Sequence, residues 1–197
     1  MDNHWTERPL EERIEAAGHR AFVGGSNAET WYGLGKLQYQ MLVERGLRPE
    51  HRFLDVACGS LRLGQFLIPY LDAERYVGLD ISRELIDAGL EHELRDAVVE
   101  MKKPSFIVTD CFDLGDMAPF DMALAQSLFT HLTLDDIGVC AERLRAATHP
   151  DSVFLFTFFR GNPSNNPVGP SDPNANWLYG FDDIAARFEA TGWRVND

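Results

Sequence analysis

Four short apolar runs in this chain end in residues able to do chemistry. Asp55-Val56-Ala57-Cys58-Gly59-Ser60 closes the first, Gly78-Leu79-Asp80-Ile81 the second, Thr109-Asp110-Cys111 the third and Ala125-Gln126-Ser127 the fourth. Small residues at Ala57, Gly59 and Ser60 let backbone approach a ligand closely, and the helix expected behind them offers unpaired N–H groups to a carboxylate or phosphate. Asp80 follows Asp55 by 25 residues, the spacing at which an acid accepts hydrogen bonds from the two hydroxyls of a ribose. Asp110, one strand further out, can accept from the exocyclic amine of an adenine. The set describes an adenosine with a small charged tail. Two plainer roles stay open: Asp80 as a cap for a helix beginning at Ser82, and Asp110 as a loop acid.

A dinucleotide fingerprint needs Gly-x-Gly-x-x-Gly, and here the turn reads Ala57-Cys58-Gly59-Ser60-Leu61-Arg62 with Gly64 out of phase. A phosphate-loop Gly-Lys-Ser/Thr is absent as well. Cys58 and Cys111 read as small fillers, with no base paired to either. His131, just beyond the fourth run, is the one histidine placed to take a proton from a substrate; packing or capping near a helix start is its other reading.

The elements that must hold these residues alternate. A helical preface of residues 1–50 carries one helix with Pro9 in its first turn and Leu10, Ile14 and Ala17 on one face, a break at Gly24-Gly25, and a second helix from about Glu29 striped by Leu34, Leu37, Met41 and Leu42, stopping at Gly46. Strands follow at Phe53–Val56, Tyr76–Leu79, Phe106–Val108, Phe120–Ala125 and Val153–Phe159. Between them the spacing predicts a helix near Leu63–Tyr70, one long helix from Ser82 past Met101, and one opened by the pattern Thr133 to Asp136. The run Phe154, Phe156, Phe158 and Phe159 reads as core, in a strand apolar on both faces as a central parallel strand must be. From Gly161 to Asn176, 14 of 16 residues are Gly, Pro, Asn, Ser or Asp, a long loop. A helix over Asp182–Ala190 and the start of a strand at Trp193-Arg194-Val195 complete the chain. Strand and helix in alternation predict a three-layer α-β-α, doubly wound, mostly parallel sheet, with ligands at the carboxyl ends of the strands.

Asp55 to Ser60, Gly78 to Ser82, Thr109-Asp110 and Phe120-Asp121 resemble successive motifs of the class I S-adenosylmethionine-dependent methyltransferases, over residues 30 to 195. Cys58-Gly59-Ser60-Leu61-Arg62, Val23-Gly24-Gly25 and Ser127-Leu128-Phe129-Thr130-His131-Leu132 are similar to uncharacterised bacterial methyltransferase-domain proteins. The resemblance implies a Rossmann-like methyltransferase fold that binds S-adenosylmethionine and releases S-adenosylhomocysteine. It implies Asp80 on the ribose, Asp110 and the backbone of Cys111 on the adenine with Ile81 beside them, and Ala57, Cys58, Gly59 and Ser60 along the methionine part. Asp55 would orient the amino group and Gln126 would face the methionine end. Tyr32, Ser127 and His131 are expected to face the substrate, with no catalytic residue assigned. Trp31, Tyr32 and Trp177 are read either as aromatic walls of a lid or as packing on the domain edge. Ala57 and Leu61 stand where the family's first turn, Asp-x-Gly-x-Gly-x-Gly, has glycines, so Leu61 must point away from the ligand. The family's sheet closes with an antiparallel hairpin, and the expectation is a domain over 51–197 that lacks it.

Composition narrows the partners. The 197 residues carry a net charge of −13, 45% hydrophobic and 25% charged residues, a folded chain with no basic run to neutralise phosphates or an anionic bilayer. Met1 to Leu10 has no basic region leading into an apolar stretch, and no segment reaches about 18 apolar residues. Three cysteines, with Cys140 the third, form no metal-ligand spacing and fit free thiols in a reducing compartment. The expectation is a cytoplasmic methyltransferase, without metal, acting on an oxygen or nitrogen of a small-molecule or saccharide-like acceptor. The alternative is a non-catalytic adenosine-cofactor-binding or interaction domain of the same fold.

Overall fold

A computed structural model describes residues 10–25 and 27–196. Before the first strand come helices α1 (Leu10–Ala17), α2 (His19–Phe22) and α3 (Ala28–Glu44). Then follow β1 (Phe53–Val56), α4 (Gly64–Tyr70), β2 (Tyr76–Asp80), α5 (Arg83–Glu93), α6 (Asp96–Lys102), β3 (Ser105–Val108), β4 (Phe120–Ala125), α7 (Leu134–Ala146), β5 (Thr148–Phe156), β6 (Phe159–Arg160), β7 (Leu178–Tyr179) and α8 (Phe181–Glu189). The main sheet has five strands in the order β3-β2-β1-β4-β5, and β6 and β7 form a separate parallel pair. Parallel register joins Asp80 to Val108 at the end of β2 and β3, and Val56 to Ala125 at the end of β1 and β4. This is the expected mostly parallel Rossmann-like sheet with flanking helices. Among the described residues no helix is long and apolar enough to cross a membrane.

By its internal contacts the chain divides into two compact units. One is Met1–His51 with Cys58–Val108, the other Arg52–Ala57 with Thr109–Asp197.

In the first unit, Asn27 caps α3 by accepting from the Thr30 N–H at 2.8 Å. The buried face of α3 is Trp31, Gly35, Gln38 and Leu42; of the expected stripe Leu34, Leu37, Met41 and Leu42, the last is buried as expected, whereas Leu37 is exposed. Gly35 explains the shift. A Cβ there would stand 2.4 Å from the Arg62 carbonyl oxygen and 2.8 Å from the Phe66 ring, so the helix turns its one side-chain-free position to the close approach. The preface also breaks earlier than expected, at Gly18 with φ 79°, and Pro9 lies outside the described residues. The expected long helix after Ser82 is two helices, because Leu94 takes extended backbone between α5 and α6; nothing local in Leu94-Arg95 signals that turn.

In the second unit, Phe129, Phe154, Phe156, Phe188 and Trp193 pack ring on ring with centroids 4.7–6.2 Å apart. Full burial of a ring such as Phe129 or Phe188 contributes about 1.5–3 kcal/mol. Three expectations are corrected here. Among the described residues β5 is the last strand of the main sheet and has a half-exposed face, and Phe159 is exposed because the chain has left the main sheet by then. Residues 193–196 form no strand: Trp193 donates its backbone N–H to Phe188 and its indole N–H to the Ala141 carbonyl, which folds it back onto the core. The loop after Gly161 is ordered by bonds to the segment beyond β4. Trp177 N–H donates to Thr130, Asp172 N–H to His131, and the Tyr179 hydroxyl to Leu132.

Candidate functional site

The turn after β1 keeps the backbone of a glycine-rich loop although two glycines are replaced. Ala57, Gly59 and Leu61 have φ of 61°, 51° and 64°, the left-handed region at every second position. Leu61 is fully buried. Its side chain lies where a Cβ on Gly89 of α5 would come within 2.7 Å of its Cγ, so it points into the helix layer, as a ligand at the turn requires.

Asp80 ties this turn to the end of β2. Its Oδ2 accepts from the Gly59 N–H at 2.8 Å and its Oδ1 from the Ser82 N–H at 3.0 Å. The carboxylate is only 7% exposed; burial pushes its pKa above the usual aspartate value, against the pull of the backbone donors of Ser82, Gly59 and Ile81. The helix cap is Ser82 itself, whose hydroxyl accepts from the Leu85 N–H at 3.1 Å, so Asp80 is not the capping residue. Gly59, Ser82 and Ile81 supply backbone donors to about four acceptor positions on the carboxylate, which leaves room for a ligand. Ile81 beside it is 67% exposed, an apolar side chain with no core to face.

The expected helix lies further on: α4 starts only at Gly64, and three N–H groups of the turn before it are engaged, Cys58 donating to Leu79, Gly59 to Asp80 and Leu61 to Cys58. Cys58 is buried, with its sulfur 2.9 Å from where a Cβ on Gly78 would be, a filler against β2. Cys111 is exposed rather than buried and donates its N–H to the Thr109 hydroxyl at 3.2 Å. Asp110 stands exposed in the same loop. Asp55 is buried on β1.

In the second unit, Gln126 donates to the Ser127 hydroxyl at 3.0 Å, and Ser127, at φ 58°, donates its N–H to the Thr157 hydroxyl at 2.8 Å. His131 Nδ1 is 2.8 Å from the Ala175 carbonyl. A carbonyl only accepts, so the neutral ring carries its proton on Nδ1 and presents Nε2 as a lone pair. Among the described residues no group of three or more His, Cys, Asp or Glu side chains could hold a metal ion.

Of the three aromatics read as lid walls or as packing, two pack in the core. Trp31 and Trp177 are buried; Tyr32 is exposed, and its hydroxyl accepts from Arg20 at 2.7 Å. Arg20 and Trp31 belong to a cluster the sequence reading missed. Glu93 at the end of α5, its side chain 1% exposed, accepts from Arg20 Nε at 2.6 Å, Arg20 Nη2 at 3.0 Å and Trp31 Nε1 at 3.1 Å. His19 Nε2 lies 3.4 Å from the same carboxylate. The only sequence signal was an acid one turn beyond Gly89 and two beyond Ile86, on the buried face of α5.

Comparison with known proteins gives one family and one fold. The model of the methyltransferase domain family matches residues 54–154. A mitochondrial ubiquinone biosynthesis O-methyltransferase of Saccharomyces cerevisiae is 26% identical over 162 residues, covering 77% of this chain but 49% of its own length, so the chain spans about half of that relative. Magnesium protoporphyrin IX methyltransferase from Synechocystis PCC 6803, solved with SAH bound, superposes with a TM-score of 0.67 at 16% identity, over 95% of this chain and 90% of its own. The glycopeptide N-methyltransferase MtfA, solved with S-adenosyl-L-methionine, has a TM-score of 0.62 at 13% identity, over 80% and 82% of the two chains.

Proposed function

The chain belongs to the methyltransferase domain family, and from that premise we propose that it uses S-adenosylmethionine to methylate an oxygen or nitrogen of a small-molecule or saccharide-like acceptor. The observation that carries the reading is Asp80, a buried carboxylate held against the left-handed turn by Gly59 and Ser82 with acceptor positions to spare. A ribose needs such an acceptor pair, and the exposed Ile81 next to it offers an apolar face for an adenine. Ala57 to Ser60 line the methionine part and Asp55 its amino group; Asp110 and the backbone of Cys111 meet the adenine edge. Gln126 faces the methionine end.

The bound cofactor supplies a methyl group on a sulfonium, transferred by in-line displacement. The protein's part is alignment of the acceptor atom with that methyl and, for a hydroxyl or ammonium acceptor, removal of a proton. His131 suits the second task, since the Ala175 carbonyl holds its proton on Nδ1 and leaves Nε2 to accept. The two relatives named for O- and N-methylation, and the porphyrin enzyme, act on different acceptors and do not select one.

Calorimetry with S-adenosylmethionine tests the reading. Micromolar binding that weakens in Asp80→Ala is expected. Absence of heat at high micromolar cofactor overturns it, and binding without turnover on any acceptor pool would leave an adenosine-binding domain instead.

A further inference from the structure

The preface meets the glycine turn at two points, both within the first unit. The Ser60 hydroxyl donates to the His19 carbonyl at 3.2 Å, and Val23 Cγ1 stands 3.3 Å from where a Cβ on Gly59 would be. The segment between them is held from the other side by Glu93, 73 residues away from Arg20 in sequence. Arg20 grips that carboxylate with two nitrogens and lies 4.9 Å over the Tyr32 ring; Trp31 adds a third donor. His19 stacks on His92 with centroids 5.0 Å apart, and its Nδ1 is buried without a partner. One carboxylate on α5 therefore fixes residues of α2 and α3 together, and the peptide it fixes rests on Gly59 and Ser60.

We propose that Glu93 is a positioning residue for cofactor binding: through Arg20, Trp31 and His19 it sets the His19–Val23 segment against the turn, making the preface a wall for the methionine end of the cofactor. The inference rests on the methyltransferase reading of the same turn and adds a residue outside the motifs. A wall at Gly59-Ser60 acts on the methionine part and not on the adenosine part, which belongs to Asp80 and Ile81. The two halves of the ligand thus report separately.

The test compares S-adenosylmethionine with 5′-methylthioadenosine, which keeps the nucleoside and lacks the amino-acid tail, by calorimetry on wild type and variants. Glu93→Gln places an amide NH2 against one of the buried donors, and about a tenfold loss of affinity for S-adenosylmethionine is expected with methylthioadenosine changed by less than about twofold. Trp31→Phe and Arg20→Lys, milder changes to the same cluster, should lose several-fold on S-adenosylmethionine alone. Asp87→Asn, an exposed position on the same helix, should change neither. Equal losses on both ligands, or no loss on S-adenosylmethionine, overturn the proposal. Wild type that binds neither ligand overturns the methyltransferase reading itself, a different result from a variant that binds as wild type does.

Discussion

Replacing Asp80 by Asn changes one atom in the bridge between the turn and β2. In the native chain each carboxylate oxygen accepts one backbone N–H, from Gly59 at 2.8 Å and from Ser82 at 3.0 Å. The amide keeps one oxygen; its NH2 meets the other N–H donor to donor. One buried N–H without a partner costs about 1–3 kcal/mol, a large fraction of a typical stability of about 5–15 kcal/mol. Relief of the buried charge offsets part of that at neutral pH, because burial raises the Asp80 pKa. The sign of the pH dependence follows. A carboxyl whose folded pKa lies above the unfolded 3.8 stabilises the folded chain fully below that value, and the contribution is lost as pH rises through the folded pKa. The asparagine has no such contribution, so the gap between wild type and variant widens on acidification. Urea titrations at neutral pH and near pH about 4.5 measure the gap, and calorimetry measures cofactor affinity, where loss of a charged acceptor for the ribose hydroxyls should cost about tenfold or more. A variant of native midpoint at both pH values, binding S-adenosylmethionine as wild type does, would refute both the structural and the ligand role of this carboxylate.

Three further outcomes are expected. Ala57→Gly, at φ 61°, removes about 1–2 kcal/mol of left-handed strain against about 0.5–1 kcal/mol of added chain entropy, so the urea midpoint should hold or rise slightly; a clear fall would mean the methyl group packs usefully. Gly89→Ala sets a Cβ 2.7 Å from both the Ser60 carbonyl carbon and Leu61 Cγ, and should destabilise by about 1–3 kcal/mol and weaken cofactor binding, whereas a gain in melting temperature would show that α5 has room to move. Burial lowers His19 below the ordinary 6.5, opposed by Glu93 and aided by His92 and Arg20, with Trp31 on the remaining side. The unfolded chain then takes up that proton first, so stability falls as pH drops below 6.5; melting curves at about pH 7.5 and about pH 5.5 should show a drop that is smaller in His19→Gln, and identical drops would remove His19 as its source.

What the sequence made legible is what short-range chemistry decides. β4 falls on Phe120–Ala125 as read, Thr133 caps α7 through the Asp136 N–H, Ser82 caps α5, and Gly46 ends the run of α3 with φ 95°; each signal lies within a few residues of what it sets. β5 reads as a central strand because its composition is apolar, yet among the described residues strand order puts it last in the sheet, and order is not a local property. The face of α3 was misread by about one position since the contact that fixes it, Gly35 against Arg62, joins two elements. The position of Asp80 at the end of β2 was legible for the same reason the Glu93 cluster was missed. The acid ends a recognisable strand, whereas Glu93 gains its meaning only from Arg20, Trp31 and His19.

Leu61 shows how a turn built for glycine tolerates a large residue. Left-handed backbone costs an L-residue about 1–2 kcal/mol, and the buried leucine side chain contributes about 1.5–3 kcal/mol. The second quantity exceeds the first only if the side chain finds a core, and Gly89 provides it by bringing α5 close enough that no Cβ fits between. The loop position can hold a leucine because the helix position facing it is a glycine that has no room for an alanine. Ala57 has no such partner glycine and only half-buried surroundings, so its strain is less compensated. That asymmetry separates the two departures from the glycine pattern, one stabilised by burial and the other carried at a net cost beside the site where the ligand approaches.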